Sequence, residues 1–293
     1  MIRRSIVPWN HLPARRVPRL GAAIVLTTVL LWGSDVPAAV LQASTIKAWD
    51  RYYQWANARV DRELSDPSRF LNMDFLPAGE KAELQRRLAA GEVVIKRLSG
   101  IVPPGTEFQV PEAEIHHWWG CIVVPGIKLD DLMKFLQDYD HHAGKFADVE
   151  KSKLLLRDGD LFRFFFRLNR TKAFVTVHYH TEQECVYKSQ GPGRVSSRSI
   201  ATKIAELDNP GTPKEQEKPP GNDRGFLWRL VSWWRFQQTE KGVIVECESA
   251  SLSRDIPLIV KLIPGVAAYI RSTPKESLES VLASIRLHAK RSP

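Results

Sequence analysis

Two glutamates, Glu246 and Glu248, stand two residues apart in the stretch GVIVECESASLSRDIP, from Gly242 to Pro257. On a strand, residues at that spacing share one face, and two carboxylates so placed approach the separation that retaining glycoside hydrolases use. Those enzymes bring their carboxylates from different elements to flank a substrate. Arg235 offers this pair a plain ionic partner, so the pattern argues against catalysis by it. Histidines come in three groups, His116 with His117, His141 with His142, and His178 with His180. Alternate histidines on a strand project to the same side and can share a metal, but a third ligand does not follow from the sequence and ordinary hydrogen bonding accounts for them. Tyr179 falls on the opposite side from His178 and His180. No Gly-x-Ser-x-Gly turn and no glycine-rich phosphate loop is present, and Cys185 beside Glu184 has no derivable histidine partner. The residues point to no catalytic group, no metal and no cofactor.

The last two strands say more. If Lys241 and Gly242 form a two-residue turn, Glu240 opposes Val243, Glu248 faces Arg235 and Glu246 faces Gln237. With Arg229 and Val231 these make a partly charged surface suited to water. The other surface carries Trp228, Leu230, Ser232, Trp234 and Phe236 from one strand, with Val245, Cys247, Ser249 and Ser251 from the next. A close-packed core normally asks for aliphatic residues where these serines stand. Bulky aromatics set against small hydroxyls leave room, and a space with that lining suits an apolar molecule. Trp228, Leu230, Ser232, Trp234, Phe236, Val245, Cys247 and Ser249 are therefore the expected ligand-binding residues. The bland alternative is that the serines mark a tight contact with a covering helix.

The elements that position this hairpin are legible from periodicity. Trp49, Tyr52, Tyr53, Ala56 and Val60 form one helical stripe that ends at Asp66-Pro67, and a second helix stops at Gly91 before the strand-like EVVIKRL. The proline-rich VPPGTEFQVPEAE reads as a connector. From Ile115 the order is a strand, a helical stretch broken near Asp140, six strands, and a final helix with Thr273 as its expected N-cap and Leu278, Val281, Leu282 and Ile285 on one face. The polar, proline-rich DNPGTPKEQEKPPGNDRG between the fourth and fifth of the six reads as a mobile surface loop, of the kind that serves as a lid.

At the N-terminus, five arginines precede the uncharged run LGAAIVLTTVLLWG and the small-residue segment SDVPAAVLQA. This is the form of a secretory signal peptide cleaved after Ala38, since a run of 14 residues from Leu20 to Gly33 falls short of the roughly 20 needed to span a bilayer. Residues 1–38 are then a leader, 39–110 a helical extension and connector, and 111–293 the main domain. Cleavage takes five arginines and one aspartate from 42 basic and 33 acidic residues, leaving 37 and 32, so a net charge of +9 becomes +5. No basic cluster with interleaved aromatics remains to bind nucleic acid. The expected location is the periplasm or the exterior, with membrane contact only transient or through an uncleaved N-terminal segment. An oxidising compartment permits one disulfide among Cys121, Cys185 and Cys247, though three buried thiols serve equally well.

The element order over Ile115 to Ala289, with the last strand GVIVECESASLSRDIP running into the helix ESLESVLASIRLHA, resembles the START-like helix-grip superfamily. That superfamily, also called SRPBCC, includes polyketide cyclases, lipid-transfer domains and birch-pollen-allergen relatives. The resemblance implies an α+β fold in which a seven-stranded curved antiparallel sheet grips a long C-terminal helix around a hydrophobic ligand. Three readings stand open: an exported carrier or sensor for a lipid-like or aromatic small molecule, a cyclase, aromatase or hydrolase on the same scaffold, or an interaction module whose cavity is filled by its own side chains and whose N-terminal helices dock a partner.

Overall fold

The computed structural model describes residues 41–98, 110–172, 175–256, 262 and 265–290. The leader and its cleavage point after Ala38, and most of the proline-rich connector, lie outside these. The described residues belong to one compact unit. No helix among them is long and apolar enough to cross a membrane.

The architecture is α+β, as expected. The N-terminal helix α1 (Ala43–Leu64) buries Trp49, Tyr52, Ala56 and Val60, the stripe its periodicity marks out, and is followed by a short 3-10 turn (Asn72–Phe75) and α2 (Ala78–Ala89). Next come β1 (Val94–Arg97), β2 (Ala113–Pro125), α3 (Leu129–Gln137) and a second 3-10 turn at Tyr139–His141, which places the helical break at Asp138. The strands β3 (Val149–Asp158), β4 (Leu161–Lys172), β5 (Val175–Ser189) and β6 (Arg194–Asp208) follow, then the two-residue β7 (Gln216–Glu217), β8 (Arg229–Thr239) and β9 (Gly242–Arg254). A short α4 (Val266–Arg271) leads into α5 (Thr273–His288), whose N-cap is Ser272, one residue before the expected Thr273.

One antiparallel sheet holds the fold, in the order β1-β2-β9-β8-β6-β5-β4-β3, with β7 on the end of β6. The seven expected strands are present, and two more join them. The first, β1, comes from the N-terminal region and extends the sheet beside β2. The second, β7, lies within the loop expected to be mobile. That loop is tied back onto the sheet: the carboxylate of Glu206 on β6 accepts from the backbone N–H and the Nε of Arg224 at 3.0 and 2.7 Å and meets Lys218 Nζ at 2.9 Å.

Both faces of the sheet carry covers, the outer one over β1, β2, β9 and β8. On the inner face α5 buries Leu278, Leu282 and Ile285 against Ile122, Phe236, Val245 and Cys247, and α3 adds Leu129, Leu132, Phe135 and Leu136. Burying each such side chain contributes about 1.5–3 kcal/mol before the cost of ordering. Gly120 lets α5 sit directly on β2, because a Cβ there would lie 2.5 Å from Leu282 Cδ1 and 2.7 Å from Ile95 Cδ1. On the outer face α1 packs Trp49, Tyr52, Ala56 and Val60 against Val231, Trp233, Ala250 and Leu252. The 3-10 turn and α2 cover Val94, Trp119 and Cys121 beside them. The apolar stripe of α1 is therefore spent on the protein's own sheet and is not free to dock a partner.

Candidate functional site

The hairpin of β8 and β9 separates its side chains as expected but in a different register. Its turn is Glu240-Lys241, so Thr239 opposes Gly242, Arg235 opposes Glu246, and Trp233 opposes Glu248. Gly242 serves a close approach instead of the turn: its φ is +135°, and a Cβ there would lie 2.2 Å from the Val124 carbonyl oxygen on β2. The slip moves both strands by an even count in total, so each residue keeps its face.

What lies over those faces overturns one expectation. Glu246 and Glu248 do not meet solvent. They are 1% and 2% exposed, beneath the N-terminal elements. Glu246 accepts the backbone N–H groups of Asn72 and Met73, and Arg235, facing it across the hairpin, also pairs with Glu63 and donates to the Phe70 carbonyl at 3.0 Å. Glu248 pairs with Arg59, accepts Asn72 Nδ2 at 3.0 Å, and lies 2.8 Å from His117 Nε2, whose Nδ1 is 2.6 Å from the Tyr52 hydroxyl. Burial pushes the Glu246 pKa up to about 7 against the pull of Arg235 and the two amides. Burial works the same way on Glu248, but the contact with His117 and the Arg59 and Arg235 charges outweigh it and bring its pKa down to about 2. Groups with pKa values driven apart are how enzymes assign acid and base. Here every partner is a side chain or amide of the fold itself, and the arrangement joins the N-terminal helix to the sheet.

The inner face holds the candidate site. Across six strands one register row reads Trp118, Ser249, Ser232, Ser199, Cys185 and Phe162. Ser251 and Ser197 flank it on neighbouring rows of the same face. Trp234 Nε1 donates to Ser232 Oγ at 2.9 Å, and Ser199 Oγ donates to Gln183 Oε1 at 3.1 Å. A band of hydroxyls thus crosses this face. Trp118, Leu230, Ser232, Trp234, Ser249, Phe166 and Leu168 are only half-buried although they lie on the helix-covered side. Toward α3 the same face closes into solid core, where the Tyr139 ring stacks on Phe164 with centroids 3.9 Å apart and its hydroxyl lies 3.0 Å from that of Tyr187.

The eight expected binding residues divide accordingly. Ser232, Trp234 and Ser249 meet in the hydroxyl band, with Leu230 on the next row. Phe236, Val245 and Cys247 are in closed core beneath α5. Trp228 does not belong with them: it packs with Trp49, Val231 and Trp233 in the outer cluster, and its Nε1 donates to Asp223 at 3.0 Å. It precedes β8, so strand alternation does not reach it. Sequence reasoning stopped at the last hairpin and missed Ser197 and Ser199, although the alternation in RVSSRSIATK carries the same small-hydroxyl signal.

The histidines separate. His116 lies 3.0 Å from Ser253 Oγ, His117 belongs to the outer ionic cluster, His142 is buried with Nε2 3.2 Å from the Phe135 carbonyl, and His178 and His180 pair with Glu150 and Glu217. All three cysteines are free and buried.

The chain is similar to several solved structures. A STAR-related lipid transfer protein from Xanthomonas axonopodis aligns over 62% of this chain and 96% of its own, at 15% identity and a TM-score of 0.42. An aromatase/cyclase from a Streptomyces strain aligns over 61% and 95%, at 11% identity and a TM-score of 0.39. A human lipid transfer and protein localization domain aligns over 73% and 97%, at 9% identity and a TM-score of 0.38. No family model and no curated protein matches the sequence.

Proposed function

We propose that this is a binding protein that encloses a hydrophobic, lipid-like or aromatic small molecule between the inner face of the sheet and α5. The observation that carries the reading is the hydroxyl band of Ser199, Ser232 and Ser249, with the half-buried Trp118 at one end of its row and the half-buried Trp234 on the next row. Apolar contact supplies affinity there, at about 25 cal/mol per Å² before ordering costs, and hydroxyls supply orientation. Burial pushes the Tyr139 and Tyr187 phenols and the Cys185 and Cys247 thiols up, and lowers His116, so these inner-face groups carry no charge at pH 7 and present a neutral wall to an apolar molecule.

In a titration with an apolar fluorophore, Trp234→Ala is expected to weaken binding about tenfold or more, as loss of a central aromatic anchor does. Gln237→Ala, on the opposite face of the same strand, leaves affinity within about twofold. Equal effects of the two substitutions would remove the inner face from consideration. A co-purifying ligand recovered unchanged after incubation supports the carrier, and a converted one supports an enzyme.

The same reading includes export. The basic, apolar and small-residue segments before Ala38 support it, and cleavage there leaves α1, which begins at Ala43, intact. Intact mass of the protein from its native host is expected to show a chain starting at Ala39, and a chain retaining residues 1–38 refutes cleavage.

A further inference from the structure

On the arm of the sheet away from β2, Tyr179 of β5 lies between Leu168 of β4 and Glu206 of β6. Alternation along β5 puts it on the same face as Thr181, Gln183 and Cys185, the face that carries the hydroxyl band. Tyr179 is 6% exposed, and its hydroxyl is buried without a hydrogen-bond partner among the described residues. Burial, reinforced by the Glu206 charge, pushes this phenol well above its ordinary range, so it stands as a neutral O–H. An unpaired buried hydroxyl is unfavourable and uncommon in native proteins.

Its surroundings are charged but self-compensated. The Glu206 carboxylate is engaged by Lys218 and Arg224, and Asp223 accepts from Trp228 Nε1 and from the Gly225 N–H at 2.7 Å. A carboxylate brought here would enter beside Glu206 and Asp223, and an ammonium beside Lys218 and Arg224. Both signs of charge already stand here, so either loses its hydration without gaining a net counter-charge. Phe166, Leu168 and Ile204, all half-buried, give apolar surface on the approach.

We propose that the Tyr179 hydroxyl docks the polar end of the ligand, and that this end is an uncharged oxygen, a hydroxyl or carbonyl, at the head of an apolar body. The proposal rests on the binding function proposed above and adds the chemical class of the ligand. The test is displacement of N-phenyl-1-naphthylamine by decane, decanol, decanoate and decylamine at neutral pH, from the native protein and from Tyr179→Phe. Decanol is expected to displace best, and Tyr179→Phe to weaken decanol by about 2- to 10-fold while leaving decane unchanged. The thermal midpoint of the variant is expected to equal or exceed that of the native protein, because the ring stays and an unpaired hydroxyl goes. A lower midpoint would mean that the hydroxyl is bonded within the fold, which overturns the proposal. So would decanol binding indifferent to the substitution, or decanoate or decylamine outcompeting decanol. If the native protein takes up neither the fluorophore nor decane, the binding function falls and this subsite with it. If both bind and decanol ignores Tyr179, the subsite alone falls.

Discussion

Replacing Arg235 with methionine is expected to destabilise the protein by about 3–5 kcal/mol, the usual cost of removing one partner from a buried ion pair. Arg235 is 2% exposed, faces Glu246 across the β8–β9 hairpin, pairs with Glu63 of α1 and holds the Phe70 carbonyl. Methionine keeps most of the volume and none of the charge. Glu246 is then left 1% exposed with only two backbone amides, and Glu63 loses its sheet-side partner. Urea unfolding followed by tryptophan fluorescence measures the loss. The Arg235→Met, Glu246→Gln double variant is expected to recover part of it above pH 7, where Glu246 without Arg235 must either ionise unpaired or take up a proton to stay buried. A loss below about 1 kcal/mol would place Arg235 among exposed ion pairs, which contribute little, and would contradict the coverage of the outer face by the N-terminal elements.

The second large effect is in the pH dependence of stability. The native pKa of Glu246 is about 7, raised from an ordinary value of 4.5. Between those two values the native state holds a proton that the unfolded chain has released, so the stability that Glu246 contributes is fully present below pH 4.5 and falls as pH rises through 7. Glu246→Gln resembles the protonated form and removes this dependence. Over that window the variant is expected to gain about 3 kcal/mol relative to the native protein. Comparison with the variant isolates this group, because His142, whose pKa burial lowers to about 4, titrates in an overlapping range with the opposite slope. Glu248 gives the contrasting result. Its native pKa of about 2 lies below 4.5, so its contribution is present above pH 4.5 and lost as pH falls through 2. Glu248→Gln is therefore harmful at neutral pH, and its deficit disappears in acid. Stability of the three proteins measured from pH 2 to pH 8 checks both signs, and a Glu246→Gln curve parallel to the native one between pH 4.5 and 7 would show that Glu246 titrates normally.

The sheet thus has two covers with different duties. On one side α1 and the segment up to α2 close over ionised groups and leave them bonded to the fold, a structural use of charge. On the other, α5 seats tightly at Gly120 on β2, while Ser232, Ser249, Trp118 and Trp234 on the same face remain half-buried. A binding function belongs with the second side because spare hydrogen-bonding capacity and accessible apolar surface coincide there.

Local pattern determined a great deal. The stripe of α1, the run of strands from Ile115 onward, the terminal helix face of Leu278, Leu282 and Ile285, and the division of the last hairpin into a glutamate side and a Trp234 side all follow from side-chain periods of 3.6 and 2. Even the misplaced turn did no harm to that division, since Thr239 opposite Gly242 in place of Glu240 opposite Val243 is a slip that preserves faces. What local pattern does not contain is the identity of whatever covers each face. Asn72 and Arg59 reach Glu246 and Glu248 from 174 and 189 residues away, and no period within the hairpin announces them. For the same reason Ser197 and Ser199 of β6 join Ser232 and Ser249 only through strand pairing, and Trp228, one residue before β8, turns to the side that alternation would deny it. Alternation is a property of neighbouring residues and fixes which side chains travel together; burial depends on contacts between distant segments, so only the folded chain decided that the acidic side is interior.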